Sequence, residues 1–416
     1  MRAMTETITL AQARAAWWQR QALAGTTKGP IAPLLASSGW LRTLGGADVY
    51  LAARARRPSM KRSELDAAVA AGELRVMPAA RGCIYLVPAA VVADLLALNA
   101  EDWRKSTEKD LGKIGKKLAD VEKMTAPVLA ALAEPLTTDA IRKALPAGSI
   151  PSFGEAGKKV GLSSPLPLVL RLLEFSGRIE RTLEGGKLDS DRYLWRKAQW
   201  KVPAAARDRA GSLANVLGAF LGYAGPATVA HVAKWSGLAQ RDVKPVLDAL
   251  GAVTVNVEGM GACYVREADL AAARKAPAPK GTALLAFEDN YLVNHGGLAP
   301  VSDPRHHAIK VAIWGSEKPE AIGEADHVLS RTIVVDGLMA GFWEVDPRRA
   351  GAVWHTFDPA PKPLASKLDE LTAAAAKFLL EEIGHAKVFT LDTMDDVQAR
   401  ADRIAKLRAG TKGKKK

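Results

Sequence analysis

Apolar and polar positions alternate along this chain in two registers, one close to the helical repeat of 3.6 residues and one close to the strand repeat of two. Thr9 to Leu23 has the helical period, with Trp17, Trp18 and Leu23 on its apolar side and Gly25 after it. Gly29 to Ala36 and Gly46 to Arg57 predict two more helices, the latter with Val49, Tyr50 and Ala53 on one side. Lys61 to Ala71 predicts a fourth, started at Ser63 with Asp66 three residues on and stopped at Gly72. Strand patterns follow at Glu73 to Met77 and Gly82 to Val87, so the first unit reads as helices and then a hairpin.

That order recurs. After a mixed-charge helix from Glu101 to Val121, a helix from Leu136 to Leu145 and one from Pro167 to Ser176 lead into Gly177 to Trp195, two strands joined by a turn with Gly185 and Gly186. Helices at Leu213 to Tyr223, Val229 to Trp235 and Ala239 to Leu250 then precede strands at Ala252 to Val257 and Cys263 to Val265. Three tandem copies argue for a repeat more strongly than any single hairpin. Helix, strand, turn, strand is the layout of a winged helix, which sets a helix in a DNA groove and a hairpin on the adjacent backbone.

Pro277 to Gly281 reads as a linker. Beyond it, strands are expected at Thr282 to Ala286, Ala308 to Trp314, Ser330 to Val335, Leu338 to Glu344 and Ala352 to Phe357, with a turn at Asp336-Gly337 and a long helix from Leu364 to Ile383. The expected fold class is α+β: winged helices over 1–125, 126–202 and 203–276, a β-rich domain over 281–405, and a basic disordered tail over 406–416. Glu288, Asp289, Tyr291 and His295 near a strand end, and His306-His307, read as polar loop residues supporting a domain interface. Cys83 and Cys263 sit in separate apolar runs and read as core residues rather than as a disulfide or metal pair.

A net charge of +13 adds an expected polyanionic partner. Residues 1–62 hold ten Lys or Arg against Glu6 and Asp48, and 406–416 hold six with no acid, so the excess lies at the two ends. The hairpin from Gly177 to Trp195 is neutral, with Arg178, Arg181, Lys187 and Arg192 against Glu180, Glu184, Asp189 and Asp191. It suits packing between domains better than gripping DNA. No apolar run approaches the ~18 residues of a membrane span and no secretory signal is present, so a cytoplasmic protein is expected.

Three winged helices followed by a β-rich domain resemble the HTH_42 superfamily of winged-helix proteins, which includes the AlkZ/YcaQ-like DNA glycosylases of bacteria. The likeness rests on Arg81-Gly-Cys-Ile-Tyr-Leu-Val-Pro88, on Leu170-Arg to Arg181 with Tyr193, and on Leu284-Leu-Ala-Phe-Glu-Asp with Val335-Asp-Gly-Leu-Met-Ala-Gly-Phe-Trp343. The resemblance implies a basic channel for duplex DNA with a damaged purine nucleoside at its floor. The family's Gln-x-Gln or Gln-x-Asp pair precedes a helix matched here by Tyr50-Leu51 and Arg56. Counting back reaches Arg42-Thr43-Leu44, without an amide or carboxylate to position water, and an alignment shifted by a single gap instead brings Gly46-Ala47-Asp48 to these positions.

Asp48 is thus the candidate catalytic residue. Gln19-Arg20-Gln21, within the first helix, reads as helix surface. Candidate DNA contacts are Arg42, Arg54, Arg56, Arg57, Arg81, Lys158, Lys159, Arg178, Arg181, Lys187 and Arg192. The expected function is duplex-DNA binding in damage recognition or repair, with hydrolysis of an N-glycosidic bond if the chain is active. The alternative is a non-catalytic DNA-binding protein such as a transcriptional regulator, and a third class is a scaffold for protein contacts. A monomer without metal or other cofactor is expected.

Overall fold

The computed structural model describes residues 6–43, 45–190, 192–199, 208–316 and 318–413. It is a mixed α+β fold in which helical layers alternate with short antiparallel sheets. Helices Ile31–Ser38, Asp48–Arg56 and Arg62–Ala70 precede a sheet in which Ile84–Pro88 lies between Leu41–Arg42 and Leu74–Pro78. The start of the Arg62–Ala70 helix lies two residues earlier than the Ser63 and Asp66 signal predicts: the Lys61 N–H donates to Glu64 Oε1 at 2.9 Å. The mixed-charge helix is also displaced, running Val92–Gly112 and resuming only at Leu118–Glu122.

The second hairpin pairs Ile179–Leu183 with Tyr193–Lys197. It is an internal joint, as its neutrality suggests, because charges matched within the molecule can be packed away from solvent. Glu180 pairs with Arg75 at 3.2 Å, and Asp189 pairs with Arg62 at 2.7 Å and with His385 at 3.1 Å. The Leu188 N–H donates to the Tyr50 hydroxyl at 2.9 Å. Asp191 lies outside the described residues. The third hairpin, Ala252–Val257 with Gly261–Arg266, takes Thr7–Ile8 as a parallel third strand, so the N-terminal segment packs on the third unit rather than on the first.

At the C-terminal end, Thr282–Leu285, Arg331–Val335, Leu338–Asp346 and Gly351–Thr356 form a four-stranded antiparallel sheet, turned at Asp336-Gly337 where both φ values are positive. The strand expected over Ala308 to Trp314 shortens to Lys310–Val311, which pairs with Glu320–Ala321 in a separate ribbon. Helices Lys362–Lys377 and Met394–Gly413 cover the sheet. The second overturns the expectation of a disordered tail: the chain is helical through Gly413, and the Arg408 guanidinium lies 4.2 Å from the Trp354 ring centroid. Residues 414–416 lie outside the described set.

The cores cross these units. Tyr50, Leu86, Leu188, Trp343 and Ile383 belong to one buried cluster, and Ile8, Trp17, Val255, Tyr291 and Phe342 to another. Burial shared in this way ties the first helices, the second hairpin and the C-terminal sheet into one body, at roughly 25 cal/mol per Å² of apolar surface removed from water. Among the described residues no helix is long and apolar enough to cross a membrane.

Candidate functional site

The Asp48–Arg56 helix is placed by its approach. Gly45 has φ +77°, and a Cβ at Gly46 would lie 2.3 Å from the backbone carbonyl of Val388, so only glycine lets the chain pass there. The Ala47 N–H then donates to Lys387 O at 2.8 Å, and Asp48 enters the protein at the first turn of the helix. The residue is 8% exposed. Oδ2 accepts the Phe287 N–H at 2.6 Å, and Oδ1 accepts Arg331 Nε at 3.0 Å.

Arg331 also pairs with Glu344, which accepts Arg400 Nε at 2.8 Å, and Arg400 pairs with Asp392 at 2.7 Å. The network is buried, and each of its two guanidiniums lies between two carboxylates. Burial alone would push the Arg331 guanidinium down, but Asp48 and Glu344 together reverse this and hold it above its ordinary value. Both oxygens of the candidate catalytic carboxylate are therefore already engaged in holding other parts of the chain. What Asp48 holds is the loop after Thr282–Leu285.

That loop carries Glu288, at φ +51°. The left-handed region costs a non-glycine residue roughly 1–3 kcal/mol and persists only where the surroundings over-determine it. Here both flanks are pinned. Phe287 is tied to Asp48, and Asp289 forms a double hydrogen bond with Arg56 at 2.8 and 3.0 Å. Asp289 also accepts the Tyr291 N–H at 3.0 Å to start the helix Asn290–Val293, and Asn290 Nδ2 donates to Trp40 O at 2.7 Å. Glu288 is left facing Arg42, with which it forms an ion pair.

These residues converge on adjoining hollows. A narrow crevice is bounded by Arg42, Asp48, Glu288 and Asn290, a cavity of about 200 Å³ by Arg42, Arg81, His231, Glu288 and His327, and one of about 310 Å³ by Arg42, Glu288 and aromatic side chains. Arg42 and Glu288 line all three. Burial pushes His231, in the second, down to about 4, so it is neutral near pH 7. Another cavity of about 470 Å³ lies beyond the first hairpin, between Trp103, Phe175 and Trp235, with Arg81 on its wall. Among the described residues no three His, Cys, Asp or Glu side chains are placed to share a metal ion.

The arginines of the first unit divide sharply. Arg56 is fully buried, with its guanidinium on Asp289, and no phosphate can reach it. Arg57 is buried against Glu64 and Gly29 O, and Arg54 donates to Met60 O at 2.6 Å with its guanidinium 4.2 Å from the Phe378 ring centroid. Arg181 pairs with Glu174 at 2.7 Å and lies over Tyr193 and Trp195. These four are internal. Arg42 and Arg81 face the central cavity, while Arg81, Lys158, Lys159, Arg178, Lys187 and Arg192 are exposed, the last five away from the cavities. Gln19 is exposed as helix surface, but Gln21 is fully buried, 3.3 Å from both Arg56 Nη2 and His295 Nε2. Leu44 lies outside the described residues.

Asp289, Tyr291 and His295 do support an interface: all are buried, and the His295 ring stacks on Trp17 at 3.8 Å. Glu288 departs from that reading. Nothing in Phe287-Glu-Asp-Asn290 separates a buried anchor from a cavity-facing carboxylate, because the distinction depends on an Arg 233 positions away in sequence.

Residues 43–378 match the DNA glycosylase AlkZ-like family. No curated protein matches the chain significantly. Among solved structures, Streptomyces sahachiroi DNA glycosylase AlkZ is similar in fold, with a TM-score of 0.68 at 20% identity over 92% of this chain and 98% of that one. With most of its length inside the family match, the chain belongs to the DNA glycosylase AlkZ-like family.

Proposed function

We propose that the protein binds damaged duplex DNA and hydrolyses the N-glycosidic bond of an alkylated base, on a scaffold of three tandem winged helices and a β-rich domain. The observation that carries this reading is the convergence of Arg42, Asp48 and Glu288 on adjoining cavities, with Glu288 held in a left-handed backbone conformation. Hydrolysis adds water to C1′ of the deoxyribose and breaks the bond from C1′ to the base. The bonding electrons go to the base, which leaves neutral if alkylation had made it cationic. A proton of the water passes to a carboxylate. Glu288 fits that role better than Asp48, whose oxygens hold Phe287 and Arg331; Asp48 is then a positioning residue.

Arg42, freed from Glu288, offers its guanidinium to the backbone phosphate beside the extruded nucleotide. Arg81, Lys158, Lys159, Arg178, Lys187 and Arg192 extend phosphate contacts along the duplex. The engaged oxygens of Asp48 favour the second reading, a non-catalytic DNA-binding protein such as a regulator. Both readings predict duplex binding that weakens steeply with salt; they divide on base release from methylated duplex DNA. Release by the wild-type protein is expected, and binding without release would leave only the non-catalytic reading.

A further inference from the structure

The 470 Å³ cavity beyond the first hairpin lies where three units meet. The helix Val92–Gly112 brings Leu98 and Trp103 to it, the helix Leu166–Phe175 brings Arg171 and Phe175, and the helix Arg209–Ala224 brings Val216 and Leu217. Trp103 and Phe175 meet edge to face, with ring centroids 5.9 Å apart. Arg42, Asp48 and Glu288 are not among its walls. The volume falls within the ~300–1,000 Å³ usual for small-molecule pockets, and the lining is of the usual kind, apolar and aromatic with a few polar groups.

Its charged walls are not balanced. Asp102 pairs with Arg209 at 3.0 Å, and Glu101 beside it is met by both Arg209 and Lys105, so the acidic side is fully matched. Arg171 has to share its partner: Glu174 takes Arg171 at 3.1 Å and Arg181 at 2.7 Å, one carboxylate for two guanidiniums. Burial pulls the Arg171 guanidinium down from its ordinary value, a cost that a second anion offsets. Arg81 and Trp235 form the partition between this cavity and the 200 Å³ one. Arg81 stands beside the Tyr85 phenol, which burial pushes up and keeps neutral, so the partition is cationic as well. Trp235 is buried with its indole N–H unpartnered among the described residues, an unmet donor that an acceptor atom relieves.

We infer that this cavity is a second binding site, for a small aromatic carboxylate whose rings lie among Trp103, Phe175 and the aliphatic walls and whose anion meets the Arg171 guanidinium. The rings supply burial and edge-to-face contact, and the guanidinium supplies a charge-assisted hydrogen bond with planar geometry matched to a carboxylate. A neutral aromatic of the same shape gains the first of these alone. The inference goes beyond the proposed function and depends neither on DNA binding nor on base release.

The test titrates the full chain by calorimetry near pH 7 with 2-naphthoate, and with 2-naphthamide as the neutral comparator of the same shape. The wild-type protein binds naphthoate at least about tenfold more tightly, the margin of a hydrogen bond between charged groups. Arg171→Gln removes that margin and leaves naphthamide affinity unchanged. The Arg171 side chain is 33% exposed and Glu174 keeps Arg181, so this variant folds as the wild type does, which an unchanged thermal midpoint verifies. Trp103→Ala weakens both ligands about fivefold, as expected for a lost aromatic contact. Equal affinity for the two ligands, no binding of either, or wild-type affinities in Trp103→Ala overturns the inference. A naphthoate preference that survives Arg171→Gln overturns it too, because it then comes from the net charge of +13 rather than from this cavity.

Discussion

At the scale of single residues, neighbouring carboxylates do opposite work. Asp289 is an anchor: its charge is buried and fully matched by Arg56. Glu288, one residue earlier, lines the cavities and pairs there with Arg42. Removing one partner of a buried pair strands the other charge and costs about 3–5 kcal/mol, whereas replacing both by apolar groups is close to neutral. Arg56→Ala is therefore expected to lower unfolding free energy by about that amount in urea titrations, and Arg56→Leu with Asp289→Leu to recover much of it. If Arg56→Ala were as stable as wild type and instead lost only DNA affinity, the guanidinium would be contacting phosphate and the burial argument would fail.

At the scale of elements, the site depends on a glycine that carries no chemistry. The approach of Gly46 to the Val388 carbonyl fixes where the Asp48–Arg56 helix begins, and with it the Asp48 contact to the Phe287 N–H. Gly46→Ala forces backbone against backbone, which flexible side chains cannot relieve. A loss of at least ~2 kcal/mol in thermal or urea unfolding is expected, together with reduced base release, because Glu288 loses one of its two supports. Unchanged stability would show that the approach is looser than 2.3 Å implies.

Hairpins and the Asp336-Gly337 turn were legible because they depend on residues close in sequence. What escaped depends on distant partners. Gln21 looked like helix surface and is buried by Arg56 and His295. Trp314 looked like the end of a strand, yet the strand ends at Val311, because only Lys310 and Val311 find a partner, in Glu320–Ala321. The helix Met394–Gly413 hid within a charged stretch whose apolar positions, Val397, Ala401 and Ile404, are needed only once the sheet lies beneath them.

At the scale of the whole molecule, charge counted along the chain misplaced the positive surface. The cluster over 1–62 is largely spent internally: Arg54, Arg56, Arg57 and Arg62 bind the protein's own carbonyls and carboxylates. What remains for a polyanion are exposed side chains spread over several units, so affinity for duplex should rest on many weak contacts and fall steeply with ionic strength. In the proposed reading such a surface holds DNA without choosing a lesion, and the chemistry returns to the cavities that share Arg42 and Glu288.

The most direct test is single-turnover base release from a duplex carrying one N7-methylguanine, comparing wild type with Glu288→Gln under conditions where both bind the DNA. The amide variant is expected to bind as tightly but to release base about 100-fold more slowly or worse, the factor expected when a general base is lost. Release at the wild-type rate by Glu288→Gln would contradict a general-base role for Glu288.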